Sequence, residues 1–413
     1  MIYLDYQATT PLAPEAAAAM RPWLETAFAN PHSSHRMGRE AAAAVEVARG
    51  RVVEALMAPL PAREGLGVGT SEASSSQPST SREAVSSRPA ADPPPTPHFQ
   101  GGELYFTSGA TEAINWALKG TATRLPAHRR RIVTFATEHA AVLDTVEYLA
   151  ALGFDAEILP VASDGVVDLP TLEVALATPT GLVAAMLVNN EIGVVQPIGE
   201  IGALARAAGA LVLCDAVQGF GRVPLPLAAC DLVAISAHKV HGPKGIGALW
   251  VREGVELDPL LHGGGQEGGL RSGTLSPALC VGFGESARLL AEQGDADRDH
   301  VEKLWATACS LMPGWTLNGS AERRYHGNLN LRRDGVDSAR LISELRGIAF
   351  SAGSACASGS GRPSHVLAAL GLGDREARSS LRLGFGRYTT QAELAEALAL
   401  IDSAANRQLG FAA

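Results

Sequence analysis

Cysteine is scarce in this chain of 413 residues, and its five cysteines never form a C-x-x-C pair. An odd number of scattered thiols makes neither a disulfide framework nor a zinc ribbon, so the cysteines favour a reducing compartment. No apolar run approaches the roughly 18 residues of a membrane span, and the opening MIYLDYQATTPLAPE has neither a basic nor an apolar segment. We therefore expect no membrane span and no secretion signal, and predict a cytoplasmic protein.

Positively charged residues are also fewer than negatively charged ones. The 34 Lys and Arg residues face 43 Asp and Glu residues, which gives a formal net charge of −9. An acidic surface repels phosphate backbones, so no direct nucleic-acid binding is expected. Apolar residues are abundant at 46%, against 19% charged residues, which is enough core to offset chain entropy. At roughly 100–200 residues per domain, the length predicts two or three domains.

One segment has almost nothing to bury. Residues 71–97 contain eight serines and six prolines, with Val85 as the only strongly apolar side chain. Such a composition cannot offset its own ordering entropy, so we predict a disordered loop over 60–100. It follows a predicted helix at Gly38–Met57 and interrupts a compact unit. A tolerated insertion explains this loop, and a regulatory or partner-binding role is the alternative.

Short apolar runs alternate with helical patterns from residue 104 onward. Runs that are apolar on both faces are what a mostly parallel sheet covered by helices requires, so the predicted fold class is α/β. The runs lie at 103–106, 132–136, 182–188, 210–215 and 231–236. After Gly263, longer helices and fewer strands predict a smaller α+β domain. These helices are predicted at Ala278–Gln293, Asp337–Arg346 and Gln391–Arg407.

Polar residues cluster directly after these strands, where ligands bind in open α/β sheets. Residues 107–111 (TSGAT) form a glycine-centred turn into a helix, which suits a phosphate, although an ordinary N-cap has the same pattern. Lys239 follows the strand at 231–236. If partly desolvated, its amine can form a Schiff base with an aldehyde; the alternative is a lysine that reaches solvent from the sheet edge.

Asp215 ends another strand and can pair with a protonated pyridine nitrogen or cap the next helix. An aldehyde-binding lysine, a strand-end aspartate and a phosphate seat are together what pyridoxal phosphate (PLP) requires. His238 and His241 also suggest a metal, but no carboxylate or thiol accompanies them, so no metal is expected.

The order and spacing of ten segments resemble the cysteine desulfurases, PLP enzymes of the class V aminotransferase fold, in the branch with a long cysteine loop. The segments are YLDYQATTP, NPHSSH, FTSGATEA, TEHAAV, NNEIGVVQPI, DAVQ, SAHKVHGPKGIGAL, GLRSGT, SAGSACASGSGRPS and SSLRLGFGRYT. The resemblance implies a PLP-transferase type I fold with a mostly parallel central sheet. It also implies a large PLP-binding domain at 15–262 and a small domain, formed by 1–14 and 263–413, that carries the cysteine loop.

The resemblance also implies roles for the matched residues. Lys239 is expected to bind the cofactor covalently, and Asp215 to pair with its ring nitrogen. Gln218 is expected to donate to its phenolate oxygen, and His139 to stack on its ring and assist proton transfers.

The remaining matched residues hold the phosphate and the substrate. The expected phosphate ligands are Thr111, Ser236 and His238, and Ala110 is also expected to bind the cofactor. Thr274 is expected to contact the phosphate from the second subunit of a homodimer. Asn190 and Arg382 are expected to hold the substrate carboxylate, a task that suits the planar fork of arginine.

Cys356 lies in a run of eleven small residues, 351–361. A structural cysteine normally packs against bulky neighbours, so this setting suits a nucleophile that swings to a substrate sulfur. The run supplies no cation to ionise the thiol, so a base such as His139 or the substrate thiol is expected to do so. The other four cysteines lie in apolar or helical surroundings and are predicted to be core residues.

The predicted activity is conversion of L-cysteine to L-alanine, with the sulfur carried as a persulfide on Cys356 to an acceptor protein. Freed Lys239 is expected to remove the Cα proton. Iron–sulfur cluster assembly, tRNA thiolation and cofactor sulfuration are all open as destinations of the sulfur. The alternatives are a selenocysteine lyase or another class V PLP enzyme, and a non-catalytic PLP-fold scaffold.

Overall fold

The structure is a computed structural model that describes residues 1–58, 101–352 and 364–412, with side chains to residue 410. The predicted loop at 60–100 and the predicted nucleophile Cys356 lie outside the described residues. The helices are α1 (Pro14–Glu25), α2 (Arg36–Met57), α3 (Ala110–Ala122), α4 (Ala140–Ala151), α5 (Leu169–Leu176), α6 (Ile198–Ala207), α7 (Pro277–Leu311), α8 (Ser338–Glu344), α9 (His365–Ala369), α10 (Asp374–Arg378) and α11 (Gln391–Ala412). The strands are β1 (Ile2–Tyr3), β2 (Gly102–Thr107), β3 (Arg131–Phe135), β4 (Asp155–Leu159), β5 (Leu182–Met186), β6 (Leu211–Asp215), β7 (Leu232–Ser236), β8 (Gly247–Arg252), β9 (Thr316–Leu317), β10 (Asn328–Arg332), β11 (Ile348–Ala349), β12 (Ser351–Ala352) and β13 (Ser380–Gly384).

A seven-stranded sheet forms the centre of the molecule, in the order β2-β8-β7-β6-β5-β3-β4. Strand β8 pairs antiparallel with both of its neighbours, whereas the pairs from β7 to β4 are parallel. Helices α3 and α4 pack on one face of the sheet, and α2, α5, α6 and α7 pack on the other. Because both faces are covered, β5 and β7 are buried at every position. The predicted α/β class with a mostly parallel sheet is confirmed.

The five predicted strands correspond to β2, β3, β5, β6 and β7, while β4 and β8 were not predicted. Strand β4 lies at the edge of the sheet and is half exposed, so its sequence DAEIL lacks the continuous apolar pattern of a buried strand.

A four-stranded antiparallel sheet, β12-β13-β10-β9, packs against α8, α11 and the second half of α7. The predicted end of α7 at Gln293 is wrong, because the helix continues through Gly294 to Leu311. Its apolar stripe resumes at Val301 and Leu304, which are both buried, and Leu304 packs in the cluster beneath the small sheet. The first half of the same helix packs under the large sheet, and the domain limits at 15 and 263 stay predictions.

The prediction that all four remaining cysteines are core residues is wrong for one of them. Cys214, Cys230 and Cys280 are buried, but Cys309 is exposed near the end of α7. The helical period explains the difference, because Leu304 and Ala308 turn inward and Cys309 follows one residue later. Among the described residues, no helix is both long enough and apolar enough to cross a membrane.

Candidate active site

A cavity of about 700 Å³ opens at the carboxyl ends of β5, β6 and β7, the edge of the sheet where ligands were expected. Ten of the predicted site residues line it: Ala110, Thr111, His139, Asn190, Asp215, Gln218, Ser236, His238, Lys239 and Arg382. Thr274 is exposed and does not line this cavity, so its contact from a second subunit stays a prediction. Cys356 lies outside the described residues.

One wall of the cavity is suited to an anion. Gly109 directly precedes α3, and among the described residues no side chain caps the helix and no atom fills the space beside the Gly109 Cα. The backbone N–H groups of the first turn therefore face the cavity without an internal partner. Burial, together with the positive charges of Lys239, Lys244 and Arg222, lowers the pKa of His238 to about 4. His238 is therefore neutral at pH 7, and Lys244, whose role was not predicted, adds positive charge to the wall.

The amine of Lys239 is held by the N-terminal segment of the chain. Its Nζ donates to the backbone carbonyls of Gln7 at 2.5 Å and Ala8 at 2.8 Å. The N–H of Thr10 donates to the carbonyl of His238 at 2.9 Å, which fixes the segment alongside the lysine. The sequence does not predict this role of Gln7 and Ala8, because a carbonyl carries no signal in the residue type. The motif YLDYQATTP was the available hint.

Asp215 and His139 face the cavity from the ends of β6 and α4. The Asp215 carboxyl is 7% exposed and accepts a hydrogen bond from the N–H of Val217 at 3.0 Å. Burial raises the pKa of Asp215, while the charges of His139 and Lys239 oppose that rise. His139 caps α4, and its Nδ1 accepts a hydrogen bond from the N–H of Ala141 at 3.0 Å. Nδ1 therefore carries no proton, and Nε2 holds the proton of the ring.

Gln218 has a fixed orientation. Its Oε1 accepts a hydrogen bond from Nη1 of Arg222 at 2.7 Å, and its Nε2 donates to the carbonyl of Gln7 at 2.9 Å. Arg222 also donates to the backbone carbonyl of Lys239. The sequence does not predict these contacts of Arg222, which connect two predicted site residues.

Arg382 reaches the cavity from β13 of the small sheet. Its side chain is fully buried, and it donates to the carbonyl of Asn190 at 3.0 Å and to Asp5 Oδ1 at 2.8 Å. The hydroxyl of Ser351 lies 3.3 Å from the same guanidinium. Its Nε has no partner in the part of the chain that the structure describes. A buried guanidinium with unused donors is suited to a small carboxylate.

These residues fit pyridoxal phosphate. The uncapped start of α3 suits its phosphate, and Lys239 offers an amine. The buried Asp215 carboxylate suits a protonated ring nitrogen, because a buried charge requires a partner. In the described residues, no cluster of three or more His, Cys, Asp or Glu could hold a metal ion. The fold and the cavity together define an α/β enzyme of the PLP-dependent class.

Comparison with known proteins narrows this class. The model of the aminotransferase class-V family matches residues 2–63 and 99–397, so residues 64–98 fall outside the match. The cysteine desulfurase IscS of Rickettsia bellii is 40% identical, over 98% of this chain and 91% of that protein. A solved NifS-like protein superposes with a TM-score of 0.81 at 32% identity, covering 98% of both chains. SspA in complex with cysteine gives a TM-score of 0.76 at 30% identity, covering 94% of this chain and all of that chain (100%). The chain belongs to the class-V aminotransferase family and, within it, to the cysteine desulfurases.

Proposed function

We propose that this PLP-dependent cysteine desulfurase takes the sulfur of L-cysteine onto Cys356 and uses Lys239 to hold its cofactor. The observation that carries the proposal is that Lys239, Asp215, His139 and Arg382 line one cavity. The solved relative SspA is described in complex with cysteine, which supports L-cysteine as the substrate here.

When bound, the cofactor withdraws electrons from Cα of the amino acid and so supports loss of the Cα proton and cleavage at Cβ. Asp215 would balance the charge of its ring nitrogen, and Gln218 would donate to its phenolate oxygen. Its phosphate would be held by the first turn of α3 with Ala110, Thr111, Ser236 and His238. Thr274 of a second subunit would complete this seat in a homodimer.

The substrate carboxylate would bind Arg382 and Asn190. Lys239 Nζ would take the Cα proton, since its hydrogen bonds to the carbonyls of Gln7 and Ala8 hold it at the cavity wall. His139 would place its Nε2 proton over the reacting group, because α4 holds the ring by Nδ1.

The sulfur transfer balances as follows. The Cys356 thiolate would attack the substrate Sγ, so an S–S bond forms while the Cβ–Sγ bond breaks. The electron pair of the broken bond stays with carbon, Cβ takes a proton, and Cα regains the proton that Lys239 removed, which gives L-alanine and a persulfide on Cys356. The sulfur then passes to an acceptor protein. We propose that this transfer takes place in the cytoplasm.

The test is anaerobic incubation of the PLP-loaded protein with L-cysteine, with alanine and persulfide measured together. We expect equal amounts of the two products. Cys356→Ser should retain the visible absorbance of the bound cofactor and lose the persulfide. The matched control is Cys309→Ser, which removes an exposed thiol on α7 and should retain both products.

Persulfide formation by Cys356→Ser would overturn the role of Cys356. Lys239→Ala should lose both the visible band and alanine formation, and a variant that retains both would overturn the role of the lysine. Repeating the assay with L-selenocysteine separates the two substrates, because a selenocysteine lyase would release alanine from that substrate and not from L-cysteine.

A further inference from the structure

Arg222 lies behind the wall of the cavity and does not line it. Its guanidinium donates through Nη1 to Gln218 Oε1 at 2.7 Å and through Nη2 to the backbone carbonyl of Lys239. The group lies over the ring of Tyr325, 5.3 Å from the ring centre, which restricts its orientation. Arg222 therefore contacts two residues of the proposed cofactor site from outside that site.

The contact decides which way the Gln218 amide points. A glutamine amide can rotate by half a turn and exchange its oxygen with its nitrogen. A guanidinium has only donors, so the amide oxygen must face Arg222 and the amide nitrogen must face away. Nε2 then donates one hydrogen to the carbonyl of Gln7 at 2.9 Å. In the described part of the chain, its second hydrogen has no acceptor, and Gln218 lines the cavity.

We propose that Arg222 is a positioning residue that acts through Gln218, holding the amide so that an N–H group and not the oxygen faces the phenolate oxygen of the cofactor. This inference rests on the proposed function of the cavity. Without Arg222, only the hydrogen bond to the Gln7 carbonyl orients the amide. The amide then turns more readily, and a turned amide presents its oxygen to the phenolate and repels it. A lysine at this position could donate to Oε1 but could not also reach the carbonyl of Lys239 with a planar fork.

The experiment titrates the visible absorbance of the bound cofactor between pH 6 and 10 in the wild-type protein and in Arg222→Met. A donor to the phenolate stabilises its charged form and lowers the pKa of the absorbing group, so loss of the donor raises that pKa. We expect Arg222→Met to raise it by about one pH unit, the effect of one hydrogen bond to a charged oxygen. Arg222→Lys should raise it less.

The matched control is Arg206→Met. Arg206 also donates to a backbone carbonyl, that of Ala228 at 2.6 Å, and it does not line the cavity. In this variant the pKa of the visible band should equal that of the wild-type protein. If Arg222→Met fails to fold, Arg222→Gln replaces it, because an amide with both donor and acceptor no longer fixes the orientation and should give the same upward shift.

A double-mutant cycle tests whether Arg222 acts through Gln218. Gln218→Met should raise the pKa of the band by itself, and adding Arg222→Met should then shift it little further. A full additional shift would mean that Arg222 acts by its charge on the lysine, which overturns the inference. If the visible band of the Arg222→Met variant has the same pKa as that of the wild-type protein, the inference is also overturned. If the wild-type protein, incubated with PLP, shows no visible band at all, the proposed function is overturned. The inference, which rests on that function, is then overturned as well.

Discussion

His241, two residues beyond the lysine, shows how strongly one side chain can be constrained at this site. Its backbone adopts φ 64°, a conformation that few residues other than glycine and asparagine tolerate, and its side chain is 7% exposed. Its Nδ1 lies 3.0 Å from the carbonyl of Pro11, so this nitrogen carries the proton of the ring. Burial, together with the positive charge of Arg387, lowers the pKa of His241 to about 3.

We predict that His241 makes the protein less stable as the pH falls. The unfolded chain takes up a proton near pH 6.5, whereas the folded chain keeps the ring neutral down to about pH 3. The stability that the neutral ring contributes is therefore complete above pH 6.5 and is lost as the pH falls towards 3, by up to about 1.4 kcal/mol per pH unit.

His241→Asn removes this titration and tolerates the positive φ. Urea unfolding at pH 7.0, 5.5 and 4.5 should show the advantage of the wild-type protein over the variant shrinking with falling pH. The buried carboxyl of Glu138 acts in the opposite direction, because burial raises its pKa well above the usual value, but it is present in both proteins and cancels in the difference. An advantage that is independent of pH, or that grows in acid, would contradict the prediction.

Sequence alone predicts those site residues whose chemistry is visible in the side chain and in its place after a strand. Lys239 and Asp215 are of this kind, whereas His139 is predicted through the family resemblance; all three line the cavity. The roles of Asp5 and Arg222 are not predicted in this way, because these two residues act by positioning other side chains. Asp5 meets Arg382 across 377 positions of the chain, and no local pattern records such a contact.

At the scale of the element, a buried ion pair ties α2 to the glycine-rich loop before α7. Arg49 and Glu267 are each 2% exposed, and their side chains form two hydrogen bonds, of 2.7 Å and 2.9 Å. Glu267 also accepts a hydrogen bond from the N–H of Phe106 in β2 at 2.6 Å, and its own backbone lies at φ 50°. The pair therefore holds a strained loop, the one that leads to Thr274, against the large sheet.

We predict that Arg49→Met lowers the free energy of unfolding by about 3–5 kcal/mol, because it leaves the Glu267 carboxylate buried without its partner. Arg49→Met combined with Glu267→Gln should lose less than the sum of the two single changes, since no charge is then left buried. Urea unfolding of the three variants measures both effects. Arg340→Met, which breaks an exposed pair with Glu344, should cost less than about 1 kcal/mol. An equal cost at both sites would refute the role of the Arg49 pair.

The length of helix α7 is a feature that the local sequence pattern predicts wrongly. Gly294 favours an end of the helix, yet the chain continues through it, because Cys280 and Phe283 are anchored under one sheet and Leu304 under the other. Tertiary packing outweighs the local preference of a single glycine, which is about 1 kcal/mol. The starts of most elements are better predicted, since β2, β3, β5 and β6 all begin within a residue of their apolar runs.

At the scale of the whole molecule, the family match leaves out one internal segment, residues 64–98. We predict that replacing this segment with a short Gly/Ser linker retains cysteine desulfurase activity and thermal stability, because loop length costs little free energy. Alanine formation from L-cysteine and the melting temperature of the PLP-loaded protein are the measurements. A loss of activity at unchanged melting temperature would instead favour the regulatory or partner-binding alternative.

The contacts of the first ten residues have a consequence for biosynthesis. The Asp5 carboxylate accepts a hydrogen bond from Arg382, and the Gln7 side chain donates to the carbonyl of Gly327. Residues synthesised first therefore form these contacts only after partners more than 300 residues later have been synthesised. A ribosome-bound chain that has not yet exposed β13 can form most of the large sheet but lacks Arg382, which lines the cavity beside the lysine. We therefore expect stable loading with PLP only after almost the entire polypeptide has emerged.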